Sequence, residues 1–178
     1  MLAVSFDGDN LRVAAPQLHF LTGKPLQRLK DASTVVFVSQ LTIFRDGPSG
    51  PGTIFRKTAE RLTVSYDVWE ETFKVVMAVD SRSASHLSLP AAEGWCLDNL
   101  AISALGLAPD RPFWLRFDLR VPSDRELASV VGDPGISIRG LIEYFSRKPE
   151  GDEPHWTLPA GPFRLAALPR IVARGNRG

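Results

Sequence analysis

Three histidines are the first side chains of this sequence to consider for chemistry, because an imidazole can bind a metal or move a proton near neutral pH. They are His19, His86 and His155, and they are scattered along the chain. None has another histidine, a cysteine or a paired carboxylate at the spacing of metal ligands. The sequence therefore predicts no metal site, and no motif in it predicts a cofactor.

Paired carboxylates could serve general acid–base catalysis. Glu70 and Glu71 fall in a predicted hairpin turn, and Glu150, Asp152 and Glu153 fall in a polar loop. Acid–base catalysis needs a carboxyl group that is desolvated so that its pKa rises. Residues in turns are normally hydrated, so these carboxylates are predicted to be solvated charges.

Neither of two possible nucleophiles, Ser49 and Cys96, lies in a sequence motif typical of catalysis. Ser49 lies in the stretch "GPSGPG", where prolines surround the serine and strand patterns flank it, unlike the strand–turn–helix setting of a nucleophile elbow. No Gly-Lys-Ser/Thr follows, so a phosphate cradle is not indicated either. Cys96 is the single cysteine. Because there is no second cysteine, an intramolecular disulfide is excluded. Cys96 is predicted to be a small buried apolar residue.

Composition points to an ordinary soluble globular protein. The 178 residues are 44% hydrophobic and 23% charged. The net charge is only +1, so the protein has no strong positive electrostatic field that would favour nucleic acid as a partner. No apolar run is long enough for a membrane span, and the first residues lack the pattern of a secretory signal. We expect one β-rich domain over residues 1–170 and a basic, mobile tail over 171–178.

Alternating apolar residues predict the strands that must position any site. The stretch "LTVSYDVWEETFKVVM", residues 62–77, reads as two strands around an acidic turn, with Tyr66 and Trp69 on opposite sides of the chain. Further strands are predicted at 2–13 as a hairpin, at 33–46, at 58–68, at 112–122 and, as an edge strand broken by prolines, within 156–169. Residues 46–52 are predicted to be a loop.

Helical spacing of apolar residues predicts helices at 22–32, 89–105, 123–131 and 138–147. The fold class is therefore mainly β within α+β: an antiparallel β-sandwich or meander sheet packed with two or three short helices. Trp69 and Trp114 fall on nominally outward strand faces. We expect helices 89–105 and 138–147 to cover them, and the alternative is an exposed aromatic platform for a ligand.

Four stretches of the chain carry a family resemblance, and they read "LTGKPLQRLKDASTVVFVSQLTIFR", "ERLTVSYDVWEETFKV", "PFWLRFDL" and "GLIEYFSR". With Tyr66-Asp67, Trp69, Phe73 and Phe163, the pattern resembles the bacterial domain-of-unknown-function family 4390. The resemblance implies an extracytoplasmic, periplasmic protein that is usually exported by a leader. It carries over no catalytic residues, and the lack of a leader pattern here leaves the compartment open.

The absence of a catalytic constellation favours a non-enzymatic binding module, associated with the bacterial envelope. Its contact surface is predicted on the outer sheet near Tyr66, Trp69, Trp114 and Arg116. The partner would be a protein or a small apolar ligand.

Two alternatives stay open. One is an enzyme, such as a hydrolase, with a site assembled from the dispersed residues His86, Asp67 and Asp118. It predicts a cleft with a histidine within hydrogen-bond reach of a carboxylate. The other is a carrier of a lipid or small hydrophobic ligand, with a cavity lined by Phe37, Phe73 and Phe117.

Overall fold

Two antiparallel sheets and four short α-helices make up the described part of the fold. The structure is a computed structural model that describes residues 1–149 and 153–171. The strands are β1 (Ala3–Phe6), β2 (Asn10–Ala14), β3 (Val35–Gly47), β4 (Gly50–Asp67), β5 (Thr72–Met77), β6 (Arg82–Leu87), β7 (Ala101–Ser103), β8 (Phe113–Arg120) and β9 (His155–Phe163). The helices are α1 (Gly23–Lys30), α2 (Leu89–Asp98), α3 (Asp124–Leu127) and α4 (Ile138–Ser146).

The larger sheet has six strands in the order β6-β5-β4-β3-β8-β9, and the smaller has three in the order β1-β2-β7. Strands β3, β4 and β5 are successive antiparallel neighbours, so the predicted meander is confirmed. The prediction of a mainly β, antiparallel α+β fold is confirmed as well. The proline-containing β9 lies at the sheet edge, where a missing N–H donor costs least.

The main core lies on one side of the large sheet, here called the inner face, between this sheet and the small one. Alternate residues of β8 point into it, and Phe37 of β3 packs edge-to-face on Phe20 with ring centroids 5.1 Å apart. Helix α2 contributes Cys96 and Leu97 to the same core. The predicted burial of Cys96 is confirmed, since its exposure is 0%.

The opposite, outer face of the large sheet is partly covered by α4. Leu141, Tyr144 and Phe145 of this helix pack with Val38 of β3 and Ala59 of β4 in a second cluster. The helix begins where the Ser137 side chain accepts a hydrogen bond from the N–H of Gly140 at 3.2 Å. The apolar spacing at 138–147 therefore predicted both this helix and the face that it covers.

The prediction for helix 89–105 was wrong in two respects. Helix α2 ends at Asp98, because the side chain of Asn99 donates a hydrogen bond to the carbonyl of Trp95 at 2.9 Å and closes the last turn. Ile102 then lies in β7, where it pairs with Leu11 of β2. The backbone of this segment is therefore paired in the small sheet and not in a continued helix. The helix also packs in the inner core and does not cover the outer face of the large sheet.

Two further differences concern β-structure. The predicted loop 46–52 is mostly strand, because β3 and β4 continue their pairing to Gly47 and Gly50. Strand β6 was not predicted, because "RSASHL" lacks an apolar alternation. Its register with β5 shifts between Phe73 and Val75, where β6 carries a bulge.

Some predictions fall on parts of the chain that the structure does not describe. The basic tail beyond residue 171, and Glu150 and Asp152 of the polar loop, lie outside the described residues. Within residues 1–149 and 153–171, no helix has both the length and the apolar character that a membrane crossing requires.

Candidate functional site

The turn between β4 and β5 is a short loop held by one aspartate. Asp67 Oδ1 accepts hydrogen bonds from the backbone N–H groups of Trp69 at 2.9 Å and of Glu70 at 3.0 Å. Glu71 closes the loop with a φ of +55°, in the left-handed region. The loop, residues 68–71 and here called the hairpin tip, is therefore held by the side chain of Asp67, the residue that precedes it.

Trp69 is exposed to solvent at the hairpin tip. Its exposure is 96%, and the neighbouring Val68 is 51% exposed. The prediction that helices bury Trp69 was therefore wrong, because α4 covers the sheet at Val38 and Ala59 instead. Burial of a large apolar side chain is worth about 1.5–3 kcal/mol, and the folded chain leaves this contribution unused.

A cleft of about 270 Å³ lies beside the hairpin tip and connects it to β6. His86 Nδ1 is 2.7 Å from Glu70 Oε2, so the tip is tied across to the edge strand. Tyr66 lines the cleft from β4, and its ring packs on Phe73 with centroids 4.9 Å apart. Tyr66 lies on the inner side of the sheet, packed against the main core, and not on the outer face.

The bulge in β6 directs His86 toward the tip. His86 has a φ of +57°, which is uncommon for a residue other than glycine. Bulges often re-aim a side chain at a site. The pair with Glu70 is open to water, with side-chain exposures of 71% for His86 and 52% for Glu70. Glu70 is thus a solvated charge, as the sequence predicted.

The residues of the enzyme alternative are only partly brought together. His86 and Asp67 line the same cleft, but both Asp67 bonds described above hold the turn. Asp118 lies on β8, where it binds Arg116 and Thr157, each at 2.9 Å. Ser65 and Ser85 also line the cleft, and among the described contacts neither hydroxyl bonds to His86.

Trp114 and Arg116 lie far from the hairpin tip. Trp114 pairs with Phe44, which pairs with Ile54, twelve residues before Tyr66 along β4. At ~3.3 Å per residue this is about 40 Å of strand. Trp114 is partly buried against β9, where a Cβ on Gly161 would meet its Cδ1 at 2.8 Å. The structure therefore does not bring the four predicted contact residues into one surface.

The three phenylalanines of the carrier alternative are core residues. Phe37 and Phe117 are 0% exposed and Phe73 is 4% exposed, and all three belong to the main core. Phe73 also borders the cleft beside the hairpin tip. Their rings fill the space between the sheets that a ligand cavity would need.

A buried carboxylate that the sequence did not single out lies on α2. Glu93 is 4% exposed and accepts hydrogen bonds from the N–H groups of Phe20 and Leu21 at 2.6 Å and 3.0 Å. His19 Nδ1 lies 3.2 Å from its other oxygen. His155 is exposed and contacts the carbonyl of Glu153 at 3.4 Å. Within the part of the chain that is described, no three His, Cys, Asp or Glu side chains could together hold a metal ion.

The hairpin tip can act as an aromatic anchor with an acidic rim. The exposed Trp69 is flanked in sequence by three acidic residues, Asp67, Glu70 and Glu71. Comparison of the chain with protein-family models, curated proteins and solved structures found no match. The resemblance to family 4390 therefore stays a prediction, and so does the envelope location that it implies.

Proposed function

We propose that this chain is a protein-binding module that inserts Trp69 into an apolar pocket of a protein partner. The observation that supports this most directly is the 96% exposure of Trp69 on a turn whose backbone is held by Asp67. Tryptophan is enriched among the few interface residues that supply most of the binding free energy. A fixed turn also reduces the entropy that ordering would cost on binding.

The shape of the tip favours a protein over a small ligand. Sites for small molecules are concave and enclose most of the ligand, whereas Trp69 and the half-exposed Val68 project from the end of a hairpin. The carboxylates of Asp67, Glu70 and Glu71 favour a partner pocket with a basic rim. The resemblance to family 4390 makes proteins of the bacterial envelope the first partners to test.

The test compares affinity capture by the wild type, Trp69→Ala and Leu105→Ala. Leu105 is 78% exposed elsewhere and controls for the loss of an apolar surface residue. A partner retained by Leu105→Ala and lost by Trp69→Ala is then purified, and its affinity is measured. We expect Trp69→Ala to weaken binding at least about 30-fold, as a hot-spot residue does. Equal capture by both variants would overturn the proposal.

A hydrolase is a second candidate, because His86 lies within hydrogen-bond reach of Glu70 in a cleft that also contains Ser65 and Ser85. The exposure of the His86–Glu70 pair to water makes a hydrolase a weaker candidate than the binding module. The test is hydrolysis of simple aryl esters by the wild type and by His86→Gln. Hydrolysis that is abolished by His86→Gln and kept by Trp69→Ala would favour the enzyme over the binding module.

A further inference from the structure

A second cleft, here called the α2 cleft, lies between helix α2 and the segment that follows β2. Its volume is about 320 Å³, and it shares no lining residue with the cleft beside the hairpin tip. Its walls are largely apolar and come from Ala14, Pro16, Leu18, Pro90 and Leu97. Small-molecule sites have this character: apolar walls with a few polar groups that fix the ligand's orientation.

Glu93 orients the imidazole of His19 at this cleft. The carboxylate is held by the N–H groups of Phe20 and Leu21 and is almost fully buried, so its position is fixed. His19 Nδ1 lies 3.2 Å from Glu93 Oε1, and because an ionised carboxylate can only accept a hydrogen bond, Nδ1 is assigned as the donor. In the neutral ring Nε2 then carries a lone pair. His19 is 63% exposed at its side chain, which leaves this acceptor accessible.

Gly94 is the third notable residue of the α2 cleft, because nothing in the fold requires a glycine there. It lies inside the ten-residue helix α2, where glycine is less stable than alanine. A Cβ at this position would meet only Asp98 Oδ2, at 4.0 Å, which is ordinary contact. The missing side chain instead keeps the helix surface open inside the cleft. Such glycines allow close approach of a ligand to the backbone.

We propose that the α2 cleft binds a small molecule that carries a primary ammonium group on an apolar body. The polar groups available to the ligand are the Asp98 carboxylate and, with the His19 ring neutral, His19 Nε2, and both accept hydrogen bonds. The residues that line the cleft include no Lys or Arg, while Glu93 and Asp98 are acidic. An ammonium ion supplies three hydrogen-bond donors and a positive charge opposite to that of the two carboxylates. The apolar body of the ligand lies against the cleft walls beside Gly94.

The state of Asp98 agrees with this chemistry. Asp98 is exposed as a residue, and the partial desolvation that it does undergo raises the pKa of its carboxyl group, with no Lys or Arg side chain among the cleft residues to oppose the shift. A bound cation would oppose it. A carboxylate or phosphate ligand would instead meet the charges of Glu93 and Asp98 and be repelled.

The test uses three probes of equal chain length: hexylamine, hexanol and hexanoate. Each is titrated into the protein while the backbone amide of Gly94 is followed by NMR. We expect saturable shifts with hexylamine at a Kd below about 10 mM and at least tenfold weaker binding of hexanoate. Equal binding of the amine and the acid, or no saturable shift with the amine, would overturn the proposal.

Two variants separate binding from folding. Gly94→Ala is expected to raise the Tm by about 2–4 °C and yet to weaken hexylamine binding, because the methyl group occupies the part of the cleft next to the helix backbone. Asp98→Asn is expected to weaken it about tenfold. Asp124→Asn, whose side chain is 95% exposed on α3, is the matched control and should leave binding unchanged. Unaltered hexylamine affinity in Gly94→Ala or Asp98→Asn would refute the assignment.

Discussion

The carboxylate of Glu60 accepts a hydrogen bond from the backbone N–H of Val79 at 2.8 Å and thereby fastens the turn between β5 and β6 to the middle of β4. It also accepts from the N–H groups of Arg61 at 2.9 Å and Asp80 at 3.2 Å. Glu60 is only 4% exposed. Burial raises the pKa of Glu60 above its ordinary value of 4.5, although the backbone bonds oppose this shift.

The raised pKa of Glu60 predicts a pH dependence of stability. A carboxyl group with a raised folded-state pKa contributes stability that is present in full below about pH 4.5 and is lost as the pH rises through the raised pKa. Gln at this position does not titrate. We therefore expect the free energy of unfolding of the wild type, relative to Glu60→Gln, to be largest near pH 4 and to fall toward pH 8.

Urea unfolding across this pH range measures the effect. Glu143→Gln, on an α4 side chain that is 67% exposed, is the matched control for loss of a carboxyl group. A stability difference between wild type and Glu60→Gln that grows with pH would contradict the prediction.

Iodide quenching is expected to separate Trp69 from the other tryptophans. Trp69 is 96% exposed, whereas Trp95, Trp114 and Trp156 are partly buried. Variants that each keep one tryptophan and carry Phe at the other three positions allow Stern–Volmer constants to be compared. We expect the largest constant for the variant that keeps Trp69. A constant for Trp69 no larger than that for Trp114 would show that the indole is covered.

Asp67 is expected to support the hairpin tip through its acceptor oxygen. Asp67→Ala removes both hydrogen bonds to the backbone of Trp69 and Glu70 and should lower the free energy of unfolding by about 1 kcal/mol. Asp67→Asn keeps an acceptor oxygen in the same place and should be close to the wild type. Equal loss in both variants would show that the charge, and not the turn geometry, is what matters.

Cys96 is expected to be unreactive in the folded protein. The thiol is completely buried, and burial, with the nearby charge of Glu93, raises the pKa of Cys96 to about 12. The thiolate is the reactive form, so labelling by an aromatic disulfide at pH 8 should proceed only when the chain unfolds. Rapid labelling of one thiol without denaturant would contradict this placement.

Local pattern in the sequence was sufficient for most strands and for α4. The alternation from Phe113 to Leu119 predicted β8 and its buried side, and the spacing of Leu141 and Phe145 predicted the face of α4. These features follow from the period of each element, which sets the residues that share a face. The acidic turn after Asp67 could be predicted in the same way.

Only the tertiary structure determined which of these faces are exposed to solvent. Trp69 is exposed because α4 lies over Val38 and Ala59, and α2 packs in the inner core, neither of which the local pattern specifies. The approach of His86 to Glu70 depends on β6, whose polar sequence gave no strand signal.

His19 and Glu93 are 74 positions apart and meet only because α2 packs against β2. Periodicity reports how one element distributes its apolar side chains. The order of the strands and the docking of the helices determine which distant groups become neighbours.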